Sequence, residues 1–245
     1  MNLAIKLKDI ALHFPKDRGL FSGLQFILKP GQNNQKSNHY TALKKLSLDV
    51  NQGEVLGIIG RNGSGKSTLL RIMAGIYQPD EGVVQVSGRT SLLAGVRVGL
   101  NENLTGRENV HLYGSILGHN QVTIDGMMDD IITFSEIGEF FDQPLRTYSS
   151  GMRARLGIAI ASAIEPEILL IDEVLGVGDP QFREKSKRRI LSLVKSTSTV
   201  VLVSHSFALM REICDRVAFI HDGEVYSIGN PTKVIRDYYE ITGEK

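Results

Sequence analysis

The apolar positions change period along the chain. Residues 3 to 14 alternate loosely and predict a strand, and Leu46–Val50 and Glu54–Ile59 predict two more. From Lys66 to about Ile76 the spacing becomes helical. Gln78-Pro79-Asp80-Glu81-Gly82 reads as a turn leading into a strand over Gly82–Val86. Helical periodicity with glycine breaks then runs from about Thr105 to Ile164. Ile168–Ile171 and Val200–Val203 are short apolar runs bounded by polar residues, the pattern of strands buried in a parallel sheet. His221-Asp222-Gly223 separates two apolar runs and predicts a late hairpin, and residues 231 to 241 predict a terminal helix. This order indicates an α/β fold with a helical insertion.

Residues 15 to 40 interrupt the pattern. They carry Pro15, Gly19, Gly23, Pro30 and Gly31, then the polar run from Gln32 to Asn38. A surface insertion is expected, with a short helix placing Phe21, Leu24 and Leu28 on one face. Up to residue 40 there are six bases (Lys6, Lys8, Lys16, Arg18, Lys29, Lys36) against Asp9 and Asp17. Such a segment is a solvated loop or, on a sharper reading, a contact for lipid headgroups or a membrane partner. A second basic cluster, Lys185, Lys187, Arg188 and Arg189, reads as a solvated helix face.

Composition narrows the classes. The 245 residues are 42% hydrophobic and 22% charged with net charge +1, so a normal core is expected and nothing global points to nucleic acid. The one cysteine, Cys214, cannot form an internal disulfide and reads as a small buried apolar residue. The early charges exclude a signal peptide at Met1–Lys8, and no apolar run reaches the roughly 18 residues of a membrane span. Any membrane role therefore needs a second chain that crosses the bilayer.

Gly60-Arg61-Asn62-Gly63-Ser64-Gly65-Lys66-Ser67 fits the phosphate-loop pattern G-x-x-x-x-G-K-[ST], preceded by a predicted strand and followed by a predicted helix. The glycines let backbone N–H groups converge on phosphate oxygens, and the helix points its positive end at the same place. Lys66 can reach the β- and γ-phosphates of ATP, Ser67 can ligate Mg²⁺, and Thr68 completes the binding loop. Ile168–Ile171 ends in Asp172 and Glu173: the first can hold Mg²⁺, and the second can act as general base toward water. Val200–Val203 likewise delivers Ser204 and His205, the latter where a γ-phosphate contact is useful.

Tyr148-Ser149-Ser150-Gly151-Met152-Arg153 resembles the signature motif of ABC ATPases and precedes the acid pair by about twenty residues, as in that family. Alone, Ser-Ser-Gly would be a helix cap. The resemblance covers nearly the whole chain. It implies an ABC-type core of residues 1–245, with a helical subdomain at about 100–165, an antiparallel β element and no appended carbohydrate-binding domain. It also implies a homodimer with two ATPs sandwiched between facing cassettes, in which Ser149, Ser150 and Gly151 meet the partner's γ-phosphate. Asp179 falls in the D-loop, and His205 is the switch histidine. Phe14 matches the aromatic that stacks on adenine, with Tyr40 second.

Ser-Ser-Gly-Met, Asn103–Asn109 and Asp172–Asp179 are similar to the ATP-binding subunits of bacterial polysaccharide exporters, which move O-antigen, capsule or teichoic acid. That implies an ATPase with a multi-span permease partner, peripheral on the cytoplasmic face of the inner membrane. One departure stands out. No glutamine lies between Gln85 and Gln121, where the family carries one, so the loop at Leu93–Leu100 must couple to the permease otherwise. Two other readings compete. A soluble ABC regulator of ribosomes or DNA usually has two cassettes or long coiled coils, and neither is visible. A small-molecule kinase leaves Tyr148–Arg153 and His205 unexplained.

Overall fold

A computed structural model describes residues 2–15, 39–94, 100–163, 166–172, 179–196 and 199–244. The parallel strands are buried because their sequences leave no polar face. In β6 (Ile168–Asp172), Leu169 and Ile171 join one buried cluster while Ile168 and Leu170 join the other. In β7 (Thr199–Val203), Val200 and Leu202 face the first cluster and Val201 and Val203 the second. With apolar cover on both sides, these strands sit inside a six-stranded sheet of order β5-β6-β7-β3-β8-β9.

The other members of that sheet are β3 (Val55–Ile59), β5 (Thr90–Ala94), β8 (Arg216–His221) and β9 (Glu224–Gly229). All pairs from β5 to β8 are parallel. β9 returns antiparallel through the two-residue turn Asp222-Gly223, with φ of 49° and 81°. Positive φ at both central positions is what a two-residue hairpin requires. A second, antiparallel sheet has order β2-β1-β4, from β1 (Leu3–Pro15), β2 (His39–Asn51) and β4 (Glu81–Val86).

The helices are α1 (Lys66–Met73), α2 (Gly106–Ile116), α3 (Gln121–Ser135), α4 (Ser150–Ala163), α5 (Pro180–Ser196), α6 (Phe207–Ile213) and α7 (Pro231–Thr242). α1 lies between the two sheets through Leu69, Leu70, Ile72 and Met73. α2, α3 and α4 connect β5 to its neighbour β6, so they form one long crossover. Thr105 and Glu108 make a capping box at the start of α2, and Asn120 caps α3. Among the described residues no helix is long and apolar enough to cross a membrane.

Several sequence-based boundaries are corrected. β2 starts at His39, not near Leu46, and Pro15 pairs with His39, so both edges of the expected insertion are strand. A bulge hides this: Lys45 has φ of 50°, Ala42 and Leu43 are both buried, and Lys44 and Lys45 are both exposed, which breaks the alternation. Phe21, Leu24 and Leu28 lie outside the described residues. α1 stops at Met73 because Gly75, at φ 71°, closes a Schellman turn in which Ile76 N donates to Arg71 O at 2.9 Å. The segment read as helical from Thr105 divides into three helices and two short 3-10 turns. β5 and α6 have no counterpart in the sequence reading.

Candidate functional site

The site is built at the carboxyl edge of the parallel sheet, where side chains beyond the strand ends escape the apolar layers. Asp172 is in register with Val203, and Val203 with Ile58, so the ends of β6, β7 and β3 stand side by side. β3 runs directly into the phosphate loop. Two glycines there are forced by packing. A Cβ on Gly60 (φ 155°) would lie 2.2 Å from Ile220 O and 2.6 Å from Ser64 Oγ. A Cβ on Gly65 (φ 103°) would lie 2.7 Å from Leu43 Cδ2 and 2.8 Å from Ala42 O. Among the described residues no side chain caps α1, and its first-turn N–H groups present their positive end to a ligand.

Lys66 is buried at 8% exposure, and its Nζ donates to Gly60 O at 2.7 Å and Arg61 O at 2.9 Å. Its ammonium is thereby held beneath the loop's own curve. Lys66, Ser67, Thr68, Gly63, Gly65 and Asn62 line a cleft of about 230 Å³ together with Asp172, His205, Phe14 and Tyr40. A second cleft, of about 510 Å³, opens beside it. It is lined by Arg61, Asn62, Gly63, Ser64 and His205 together with His221, Asp222, Tyr238 and Glu244. The structure thus brings together the predicted loop, Asp172 and His205. Glu173 lies outside the described residues.

The two aromatic candidates are neighbours, because Phe14 and Tyr40 are cross-strand partners in β1 and β2. Phe14 packs edge-on against Tyr77 with ring centroids 5.7 Å apart, and Tyr40 donates from its hydroxyl to Gly63 O at 3.0 Å. Tyr77, which braces Phe14 without lining the cleft, has no sequence signal for that role; it arrives through the turn after α1.

Ser149, Ser150 and Gly151 are elsewhere: they are not among the described residues lining either cleft. Ser149 caps α4, its Oγ accepting from Met152 N at 3.2 Å and its carbonyl from Arg153 N at 3.1 Å. Among the described residues outside its own helix backbone, the nearest atom to a Cβ on Gly151 would be Ser149 Oγ at 3.8 Å, so the space there is open. Asp179 caps α5 through Phe182 N at 3.0 Å and accepts from Arg155 Nη2 at 2.5 Å. These two donors, the Phe182 N–H foremost, hold the Asp179 carboxyl down at about 2.

The basic cluster on α5 is corrected in part. Lys187 and Arg188 are exposed, as expected of a solvated face, but Lys185 and Arg189 are turned inward. Lys185 donates to Glu136 and to Phe134 O, and Arg189 donates to Asp130. Both cations lie over the Phe134 ring, at 4.8 and 5.5 Å. The acids that neutralise them are on α3, far away in sequence, so no local pattern could have announced the pairing.

Known proteins place this architecture. Residues 43–176 match the family described as ABC transporter. The chain is 42% identical over 243 residues to the O-antigen export system ATP-binding protein RfbB of Myxococcus xanthus, covering 97% of this chain and 56% of that protein. It is 47% identical to the teichoic acids export ATP-binding protein TagH of Enterococcus faecalis over 81% of this chain and 44% of that one. The RfbB of Klebsiella pneumoniae is 38% identical, with 97% of this chain and 98% of that protein covered. This chain thus spans about half the length of the first two relatives and nearly all of the third. In fold it is similar to an ATP-binding subunit of an ABC transporter, with a TM-score of 0.74 at 21% identity over 99% of this chain and 95% of the other. A second neighbour, at TM-score 0.69 and 24% identity over 93% and 98% of the two chains, is described as a dimeric ATP-binding cassette in a post-hydrolysis state with ADP and Pi. With a phosphate loop, an acid-tipped strand and a histidine-tipped strand meeting in one cleft, and with these relatives, the chain belongs to the ABC transporter family.

Proposed function

We propose that this chain is the ATP-hydrolysing subunit of a membrane exporter that moves a lipid-linked polysaccharide such as an O-antigen across a bacterial inner membrane. The observation that carries the reading is the convergence of Lys66, Ser67, Asp172 and His205 on one cleft. The relatives compared above are named for O-antigen and teichoic acid export, and the Klebsiella pneumoniae one, matched over 98% of its length, is named for O-antigen export.

In this proposal the loop N–H groups and Lys66 bind the phosphates of ATP, and Phe14 stacks on the adenine. Ser67 and Asp172 fit Mg²⁺: both are half-buried oxygen donors on the same cleft. Mg²⁺ takes few protein ligands beside phosphate and water, so two such side chains suffice. Bound Mg²⁺ would offset phosphate charge. Glu173 takes the proton of the attacking water, and His205 steadies the γ-phosphate. Ser149, Ser150 and Gly151 start a helix and are not among the described residues lining the chain's own cleft, which supports their use by a second copy in a two-ATP homodimer. A multi-span permease carries the force, and the cassette sits peripherally on the cytoplasmic face.

The test is purification of the tagged chain from detergent-solubilised native membranes, with mass spectrometry of what accompanies it. A stoichiometric multi-span protein, with ATP turnover abolished by Glu173→Gln while ATP binding persists, is the expected result. Recovery with ribosomes or DNA, and no membrane partner, would leave the nucleotide chemistry standing and remove the export function.

A further inference from the structure

Among the described non-glycine residues only four have positive φ: Asp9, Lys45, Glu136 and Asp222. Lys45 is explained by the bulge in β2 and Asp222 by its hairpin turn. Glu136 is different. It closes α3 in the left-handed conformation (φ 53°, ψ 34°), a C-terminal position that glycine fills without steric conflict. A long acidic side chain there needs another reason, and its contacts supply one.

The two carboxylate oxygens of Glu136 are divided between two other helices. Oε2 accepts from Arg155 Nη1 at 3.0 Å, on the helix that Ser149 caps. Oε1 accepts from Lys185 Nζ on α5. Lys185 first and Arg155 second hold the Glu136 carboxyl below the usual range, so the charge persists near neutrality. Arg155 uses its other nitrogen, Nη2, on Asp179 Oδ2, and its guanidinium lies over the Phe182 ring at 4.5 Å. One guanidinium therefore joins the cap of α3 to the cap of α5, and Glu136 sets its orientation. Phe134 and Phe182, 5.7 Å apart and edge-on, form the apolar floor below these charges.

We infer that Glu136 is a positioning residue for the paired-site reaction: through Arg155 it holds the α4 start, with Ser149–Gly151, in fixed relation to Asp179. The inference rests on the proposed homodimer, since both elements are then offered to the second copy as one rigid unit. The hydrogen-bond partners of Glu136 among the described residues, Arg155 and Lys185, do not line the loop cleft, and Glu136 is not itself catalytic.

The left-handed backbone provides a clean test. Glu136→Gly suits φ 53° and removes the whole side chain, carboxylate included, without straining the backbone, so the fold is retained. Expected for Glu136→Gly are an unchanged or raised melting temperature, nucleotide affinity of the single chain within about twofold of the parent, and turnover lowered about tenfold with weaker ATP-induced dimerisation. Combining it with Asp179→Asn should add little further loss, because both act through one guanidinium. A lowered melting temperature with proportionate loss of binding, or fully additive losses, would make Glu136 a merely structural residue and overturn the inference, as would parental turnover in Glu136→Gly. If the parent itself neither turns over ATP nor dimerises with it, the proposed function fails instead. Those parental controls separate the two failures.

Discussion

Lys66 Nζ donates to Gly60 O at 2.7 Å, so the loop's only lysine is tied to the loop's first residue. The same ammonium reaches Arg61 O at 2.9 Å. Its position is therefore set before any phosphate arrives, which lowers the ordering cost of binding one. Lys66→Met keeps the apolar stem and removes the donor. ATP affinity should fall by about one to two orders of magnitude, the contribution of a charge-assisted hydrogen bond in a closed site. Stability should fall as well, by about 1–3 kcal/mol, because the buried Gly60 carbonyl loses a partner. Calorimetric titration with ATP and urea unfolding measure the two separately. Unchanged stability would mean that Lys66 serves the ligand alone.

The loop glycines are not equivalent. Gly63 has φ of 82° but nothing within 4 Å of an added Cβ, whereas Gly65 at φ 103° would press on Ala42 O and Leu43 Cδ2. Gly63→Ala should cost only the left-handed backbone term, about 1–2 kcal/mol. Gly65→Ala adds a clash with main chain that cannot move without disturbing β2, so about 3 kcal/mol or more is expected. Urea midpoints rank the two, and equal losses would show that the β2 contact yields freely.

Much of this was legible because strand ends and loops write their chemistry locally. The phosphate loop, Asp172 and His205 each follow an apolar run, and parallel pairing brings the ends of those runs together. The hairpin at Asp222-Gly223 was equally plain, since its residue types are those its dihedrals need. What stayed hidden is non-local. β5 has no distinctive alternation and is a strand because Thr90–Ala94 pairs with β6, after a crossover of three helices. The pairs Glu136–Lys185, Asp130–Arg189 and Arg155–Asp179 join residues 24 to 59 positions apart, and only packing reveals them.

Phe14 and Tyr40 face one another across β1 and β2, yet they hold different partners. Phe14 braces Tyr77, while Tyr40 spends its hydroxyl on Gly63 O and leaves about half its surface exposed, at 48%. If Phe14 stacks on adenine, Phe14→Ala should weaken ATP about tenfold, within the range of one base–aromatic contact. Inorganic triphosphate, which has no base, should bind both proteins alike. Tyr40→Phe should change ATP affinity by less than about threefold, since it keeps the ring and loses one exposed hydrogen bond. Reversed sensitivities in fluorescence titrations would transfer the stacking role to Tyr40.

Asp179 gives the fold a pH signature whose sign can be worked out. Its carboxyl is held at about 2, against an ordinary 3.8, first by the Phe182 N–H and then by Arg155. A depressed folded value means that the charge stabilises the fold fully above the ordinary value, and that this contribution is lost as pH falls toward about 2. Asp179→Asn still caps a helix well, because asparagine accepts the same N–H, so the substitution isolates the charge from the cap. The parent should unfold at higher urea than Asp179→Asn at neutral pH, with a gap that stays level down to about pH 5, narrows below the ordinary carboxylate value and closes near the folded one. Added salt should shrink the gap at neutral pH, since both partners reach solvent. A gap that persists unchanged at the lowest pH where the fold survives would mean that Arg155 does not recognise the carboxylate as an anion, and that the contact is a matter of shape.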